Sequence, residues 1–406
     1  MGNWKQDSLD GICNIVKGEQ LNKLDLEKSG DYPCINGGIE PSGYTNKWNR
    51  LENTITISEG GNSCGFINYL KVKFWSGGHC YSLQNIKDNF NLDFLYYALK
   101  GNESKIMGLR VGSGLPNIQQ KAIKSFEIQY PEDKPEQTRI AEILSTADEA
   151  IAHTEVLIAK YQRIKTGLMQ DLLTKGIDEN GNIRSKATHK FVVKNGVEVP
   201  EEWEVIKLID CVDKSTIITY GIVQTGLHVV DGIRVLRTVD LQKDKIDSSN
   251  LLRTTEEISN SYKRTILKKF DLVCNVRASV GDFNIIDDDD LVGCNTTRGV
   301  ARISPKKEIN PYYLLWFLRS ERNTKQMELL IKGTTFIDIN IADLREIWIP
   351  IPNNKSEQDK IAEKLIQITD TLQDYNRQLL KLQSLKTGLM QDLLSGKVRV
   401  NMNNKN

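Results

Sequence analysis

One stretch of this chain is written twice at a fixed distance. Glu136-Gln137-Thr138-Arg139-Ile140-Ala141-Glu142-Ile143-Leu144 returns 221 residues later as Glu357-Gln358-Asp359-Lys360-Ile361-Ala362-Glu363-Lys364-Leu365. Lys165-Thr166-Gly167-Leu168-Met169-Gln170-Asp171-Leu172-Leu173 returns unchanged as residues 386–394. Over residues 136–173, 17 of 38 positions are identical without a gap, which chance does not supply. The chain must therefore fold as one architectural unit used twice.

The repeated segment reads as helix. Ile140, Ala147, Tyr161 and Leu168 share one seven-residue register, and Leu144, Ile151, Ile158 and Leu172 share a second. The later copy repeats both, with Ile361, Ile368, Tyr375, Leu382 and Leu389 beside Leu365, Leu372, Leu379 and Leu393. A seven-residue apolar stripe holds one face against a partner helix along its whole length. At 1.5 Å per residue each segment makes a rod of roughly 55–60 Å. Ser356 is the expected N-cap of the second rod, and Pro135 is tolerated at the start of the first. Two ordinary helices, each packing on its own domain, would also carry apolar stripes. The shared register favours a mutual pair, and like faces pair about a two-fold axis, hence antiparallel.

The correspondence extends upstream and then fades. Residues 112–131 align with 333–352 at the same offset, pairing Asn117-Ile118 with Asp338-Ile339. Asn91 to Leu99 resembles Asn310 to Leu318 at an offset of 219, and Asn310 followed by Pro311 marks a helix start. Trp4 to Leu9 resembles Trp203 to Leu208. Between these anchors the two halves share little, so a common scaffold carries two different interiors. Short β-like runs before turns, such as 53–58 and 270–276, make each interior an α/β (α+β) domain. The expected partition is a domain over 1–131, a helix over 132–176, a linker over 177–198 rich in Asn, Gly, Lys and Ser, a domain over 199–352, a helix over 353–397 and a tail over 398–406.

Several function classes are excluded. Hydrophobic residues form 39% and charged residues 26% of the chain, with a net charge of +1, a globular composition in which any nucleic-acid surface must come from segregated charge. No apolar run reaches the ~18–20 residues of a membrane span. The start has neither basic nor apolar signal regions, so no signal peptide is expected, and Gln6 rules out the myristoylation pattern. The seven cysteines are odd in number and never form a C-x-x-C pair, as expected of reduced, buried thiols in a cytoplasmic protein. No phosphate loop, nucleophile elbow or H-E-x-x-H occurs. Asn310-Pro311-Tyr312-Tyr313 lacks the second proline of an adenine-methyltransferase pocket. The four histidines are scattered. His79, in Gly77-Gly78-His79-Cys80-Tyr81, suits a loop role better than metal or nucleophilic chemistry. No metal site is expected; Asp287 to Asp290 reads as a solvated hairpin tip rather than a cation loop.

The doubled E-Q-x-[RK]-I-A-E-x-L start and K-x-G-L-M-Q-x-L-L finish, each behind a globular domain, resemble the specificity subunit of type I restriction-modification systems. Pro41-Ser42-Gly43-Tyr44-Thr45, Tyr220-Gly221-Ile222-Val223-Gln224 and Thr296-Thr297-Arg298-Gly299-Val300 also look familial. The resemblance implies two target-recognition domains, each reading one half of a bipartite, asymmetric sequence in double-stranded DNA. It implies a chain that is not itself an enzyme and binds no cofactor. Its expected partners are two methylation subunits and restriction subunits, which supply S-adenosylmethionine, ATP and magnesium sites. A free-standing sequence-specific DNA-binding regulator is the alternative.

Base reading needs donors and acceptors on loops that reach a groove: Arg or Lys for guanine, Asn or Gln for adenine, Thr for the thymine methyl. The candidates in the first domain are Ser42, Tyr44, Lys47, Trp48, Asn49, Asn62, Ser63, His79 and Arg110. In the second they are Gln224, Arg237, Lys263, Arg264, Arg277, Ser279, Thr296, Thr297, Arg298 and Thr334. Most should touch only phosphate, which positions without specifying. The candidates for helix pairing or subunit docking are Ile140, Leu144, Tyr161, Leu168, Met169 and Leu172 with Ile361, Leu365, Tyr375, Leu382, Leu389, Met390 and Leu393. Packing within the helix pair is the simpler reading of the Met-Gln-Asp-Leu-Leu copies. Two equivalent docking sites for methylation subunits is the other.

Overall fold

A computed structural model describes residues 4–112, 114–242, 245–331 and 337–400. The chain divides into two compact units, one of Met1–Val156 with Asn376–Asn406 and one of Leu157–Tyr375. The division cuts both long helices, Lys134–Leu172 and Lys355–Leu394. Each unit thus holds one domain, the first part of the helix that follows it, and the last part of the other helix.

In the first unit, Ile140 and Leu144 from the start of the first long helix share a core with Leu393 from the end of the second. In the second unit, Ile361 and Leu365 from the start of the second helix share a core with Leu172 and Leu173 from the end of the first. A start lies beside an end each time, so the helices are antiparallel. Both sequence readings of the stripe hold in part: the ends pack on domains, and the middle pairs helix on helix, where Tyr161 and Tyr375 stack at 5.2 Å.

The domain interiors differ in sequence but share one topology. In the first, a four-stranded antiparallel sheet runs Asn14–Lys17, Cys80–Gln84, Thr54–Ser58, Ile67–Leu70. A three-stranded sheet runs Gly43–Thr45, Tyr32–Ile35, Trp75–Ser76, its last pair parallel. In the second, the corresponding sheets run Thr219–Tyr220, Val300–Ile303, Leu272–Asn275, Phe283–Ile285 and Leu252–Thr254, Ile233–Leu236, Asn295–Thr296, again with the last pair parallel. Trp4–Ser8 pairs with Glu127–Pro131 just before the first long helix, and Trp203–Lys207 pairs with Trp348–Pro352 before the second.

One expectation gains detail and one is corrected. The stretch 177–198 is structured: Ile177 and Arg184 are buried, and Phe191–Lys194 forms a hairpin with Val197–Pro200. Ser356 is not a cap but lies inside the first turn, its backbone N–H bonded to the Asn354 side chain at 2.9 Å.

Candidate nucleic-acid interface

In the first domain several chain segments converge where the two sheets meet. The His79 backbone is clamped from both sides: its N–H donates to Asn36 Oδ1 at 3.1 Å, and its carbonyl accepts from Glu59 N at 2.9 Å. Gly77 N donates to Ile35 O at 2.8 Å, and Ile118 N donates to Glu59 O at 2.8 Å. The Ser58 and Ser63 hydroxyls both donate to Gly37 O at 2.5 Å. Gly18 is required here, since a Cβ would stand 2.4 Å from Ser76 O.

The second domain repeats these bonds with other side chains. Val276 N donates to Gly299 O at 2.9 Å, Thr297 N to Leu236 O at 2.9 Å, and Ile339 N to Val276 O at 3.0 Å. Asn275 Nδ2 donates to Thr238 O at 3.1 Å, the counterpart of the Ser58 bond. Gly221 takes the place of Gly18, its Cβ position only 1.9 Å from Thr296 O. Asn36, Gly60 and His79 in the first junction therefore correspond to Arg237, Arg277 and Gly299 in the second, with Arg298 adjacent. One junction carries a histidine among glycines, and the other presents three arginines.

Of the sequence candidates, the structure brings Ser63 and His79 to the first junction and Arg237, Arg277, Thr297 and Arg298 to the second. Arg277 and Arg298 are exposed. Arg237 is half-buried and braced by Asp240, which accepts from Nε at 3.0 Å and Nη2 at 2.7 Å. Thr296 is fully buried in the short parallel strand, so it reads no base in this conformation. Asn49 is also committed elsewhere, its amide bonded to both Ser76 O and Ser76 N. Ser42 lies just before the edge strand Gly43–Thr45, Tyr44 on it, and Lys47 and Trp48 in the loop after it, with Lys73 over the Trp48 ring at 4.6 Å. Asn62, Arg110, Gln224 and Ser279 are exposed on loops, and Lys263 and Arg264 are exposed on the short 3-10 helix Lys263–Thr265. Thr334 lies outside the described residues.

The repeated helix ends also have partners. Gln137 donates to Pro131 O and Asn89 O and accepts from Asn91 N, while Gln358 donates to Pro352 O and Glu308 O and accepts from Asn310 N. Each glutamine ties a helix start to the strand and short helix of its own domain. The preceding glutamates face the other helix's exit. Glu357 takes Arg184 at 2.5 Å and 3.0 Å, and Glu136 takes Arg399 at 2.6 Å and 2.5 Å. Sequence reading gave no role to these glutamates, although their exact repetition was the available signal. In the closing copies, Lys165 lies 5.0 Å from the Trp316 ring and Lys386 lies 6.0 Å from the Tyr97 ring. Leu168, Met169, Leu389 and Met390 pack against the domain cores, and Leu382 is half-buried.

The profile of the type I restriction modification DNA specificity domain matches residues 1–161 and 200–383. The chain belongs to this family. It is 27% identical to the Type I restriction enzyme MjaVIII specificity subunit of Methanocaldococcus jannaschii, over 98% of this chain and 93% of that protein. It is 23% identical to the EcoBI specificity subunit of Escherichia coli, over 97% of this chain and 86% of that protein. A crystal structure of a type I restriction-modification S subunit from M. genitalium shares the fold, with a TM-score of 0.67 and 21% identity over 99% of this chain and 97% of that one.

Each unit of this specificity-family chain also has a groove against the closing copy of the other helix. In the first unit it is about 940 Å³ and lined by Lys100, Asn102, Phe126, Met390 and Leu394. In the second it is about 630 Å³ and lined by Met169, Leu173, Trp316, Arg319 and Lys325. Met169 and Met390 occupy the same repeat position, as do Leu173 and Leu394. Among the described residues no helix is long and apolar enough to cross a membrane.

Proposed function

We propose that this chain is the DNA-reading specificity subunit of a type I restriction-modification complex in the cytoplasm, each domain recognising one half of a bipartite, asymmetric target. One observation carries the reading: the two junctions share their backbone hydrogen bonds but present different side chains, a histidine with glycines against arginines. A common frame with exchanged donors suits two unlike half-sites. The antiparallel helices serve as the spacer, and the unread bases lie between the half-sites.

The chain itself is non-catalytic and binds no cofactor in this reading. Methylation subunits bring S-adenosylmethionine, and restriction subunits bring ATP and magnesium. The matched grooves, each lined by a Met-Gln-Asp-Leu-Leu copy, are the docking sites for two methylation subunits. A free-standing regulator is disfavoured because the relatives are named as specificity subunits of restriction enzymes.

Exchanging residues 1–131 for the corresponding domain of a relative should alter one half of the methylated sequence and leave the other intact. Alteration of both halves refutes independent reading. Methyl transfer from labelled S-adenosylmethionine by the purified chain alone refutes the non-catalytic role. Adding one helical turn to the first long helix should change the spacer only.

A further inference from the structure

A buried carboxylate stands behind the exposed histidine of the first junction. Glu59 is 9% exposed. Its Oε1 accepts from Lys17 Nζ at 2.6 Å and from the Tyr81 hydroxyl at 2.8 Å. Its Oε2 is buried, accepts no hydrogen bond among the described residues, and lies 3.5 Å from His79 Nδ1. Lys17 already compensates the charge, so folding alone does not call for the second oxygen to face the histidine. The His79 side chain is 64% exposed, yet its backbone is held by Asn36 and Glu59. An exposed ring on a fixed backbone, braced by a buried carboxylate, is arranged as pre-organised recognition groups are. The second domain repeats the bond to the carbonyl at this position, from Val276 N at 2.9 Å, but carries Gly299 there. The histidine therefore serves something other than the shared fold.

We propose that His79 is a specificity-determining residue of the first domain, reading a base edge through Nε2, and that Glu59 is its positioning residue. The proposal rests on the DNA-reading assignment made above. Burial opposes ionisation of Glu59, but the bonds from Lys17 and Tyr81 outweigh it and hold the carboxyl below its ordinary range. An ionised carboxylate only accepts, so it favours the ring form with hydrogen on Nδ1, which leaves Nε2 for the ligand. In a neutral ring that nitrogen accepts, and the major groove offers it the exocyclic amino groups of adenine and cytosine.

The test uses the chain in complex with its methylation partners and measures methyl transfer into duplexes varied one base pair at a time. If the wild-type complex methylates without regard to sequence, the DNA-reading assignment fails, and this proposal fails with it. If a bipartite target is found, His79→Ala should reduce discrimination at one position of one half-site by about tenfold or more. Glu59→Gln should relax that same position, whereas a purely structural glutamate would lower transfer to all duplexes alike. At that position, an analogue lacking the amino group (purine for adenine, 2-pyrimidinone for cytosine) should weaken transfer by the wild type about tenfold and add nothing to the His79→Ala loss. Unchanged preference at every position, or a uniform loss by a complex of unchanged melting temperature, overturns the proposal. Should His79→Ala lower the melting temperature, His79→Asn decides, since its shorter side chain cannot place a nitrogen where Nε2 stands.

Discussion

Arg184 and Glu357 offer a measurable test of how the second unit is closed. Their side chains are 8% and 9% exposed. Beyond the paired bonds to Arg184, the glutamate accepts from Ile177 N at 3.0 Å and Trp203 Nε1 at 3.3 Å. Arg184→Met removes the only cation bonded to this carboxylate among the described residues and strands a buried charge. Breaking a buried pair from one side costs about 3–5 kcal/mol. For a unit of this size each kcal/mol moves the midpoint by about 2–4 °C, so calorimetry should show the second unit melting about 6–20 °C lower. The first unit has the matching pair, but the Arg399 side chain is 34% exposed, and water can solvate what remains. Arg399→Met should cost roughly half as much or less. In a Glu357→Gln background, Arg184→Met should cost only about 1 kcal/mol, because the one carboxylate that loses its partner, Glu202 at 3.1 Å from Arg184 Nε, is half exposed. A midpoint change under about 2 °C for Arg184→Met, or an equal cost in both backgrounds, refutes the argument.

Two further outcomes follow from buried groups. The folded pKa of Glu59 lies below its ordinary 4.5, so its contribution is complete above about pH 4.5 and is lost as pH falls further; the melting temperature of wild type should approach that of Glu59→Gln between pH 6 and about pH 3, and a constant gap contradicts this. All seven cysteines are buried, with burial pushing Cys13 and Cys211 up to about 12; Ellman's reagent should find no fast-reacting thiol in the native chain and all of them in guanidinium, and one rapid native equivalent contradicts this.

The parts legible in sequence were those in which side chains set local geometry. A seven-residue apolar stripe and the Asn310-Pro311 start announce helices within a short window, and the short helix does begin at Pro311. Within 177–198 the burial of Arg184 was not legible, because it depends on Glu357 173 residues away, whereas Asn195-Gly196 between β-branched residues is a local hairpin signal that composition alone hides. The shared topology of the interiors was hidden for another reason. Its strands are two to five residues long, and its convergent bonds run mainly between backbone groups, which accept almost any sequence. Only the close-approach glycines, Gly18 and Gly221, leave a trace. Thr296 was misread because a polar residue in a familial loop looks exposed until the strand pairing is known.

A junction framed by backbone bonds lets its side chains vary, but not one at a time. In the second domain Thr297 occupies the position that Gly77 holds in the first, so Gly77→Thr is the natural single step between the two surfaces. In the first domain a Cβ at residue 77 would lie 2.5 Å from Asn36 Oδ1, the same atom that receives the His79 N–H. Gly77→Thr should therefore displace Asn36, at an overpacking cost of about 1–3 kcal/mol. Asn36→Ala alone should cost under about 1 kcal/mol, because the His79 N–H that loses its acceptor is exposed to water. The double variant relieves the contact with Asn36 Oδ1 but keeps one of 2.8 Å to the Cβ of residue 36, so it should cost less than the two single losses added together, with a coupling energy of about 0.5 kcal/mol or more. Denaturant titration of the three variants measures this cycle. Additive losses would mean that the junction residues vary independently, and that the histidine surface and the arginine surface are connected by neutral single steps rather than by concerted ones.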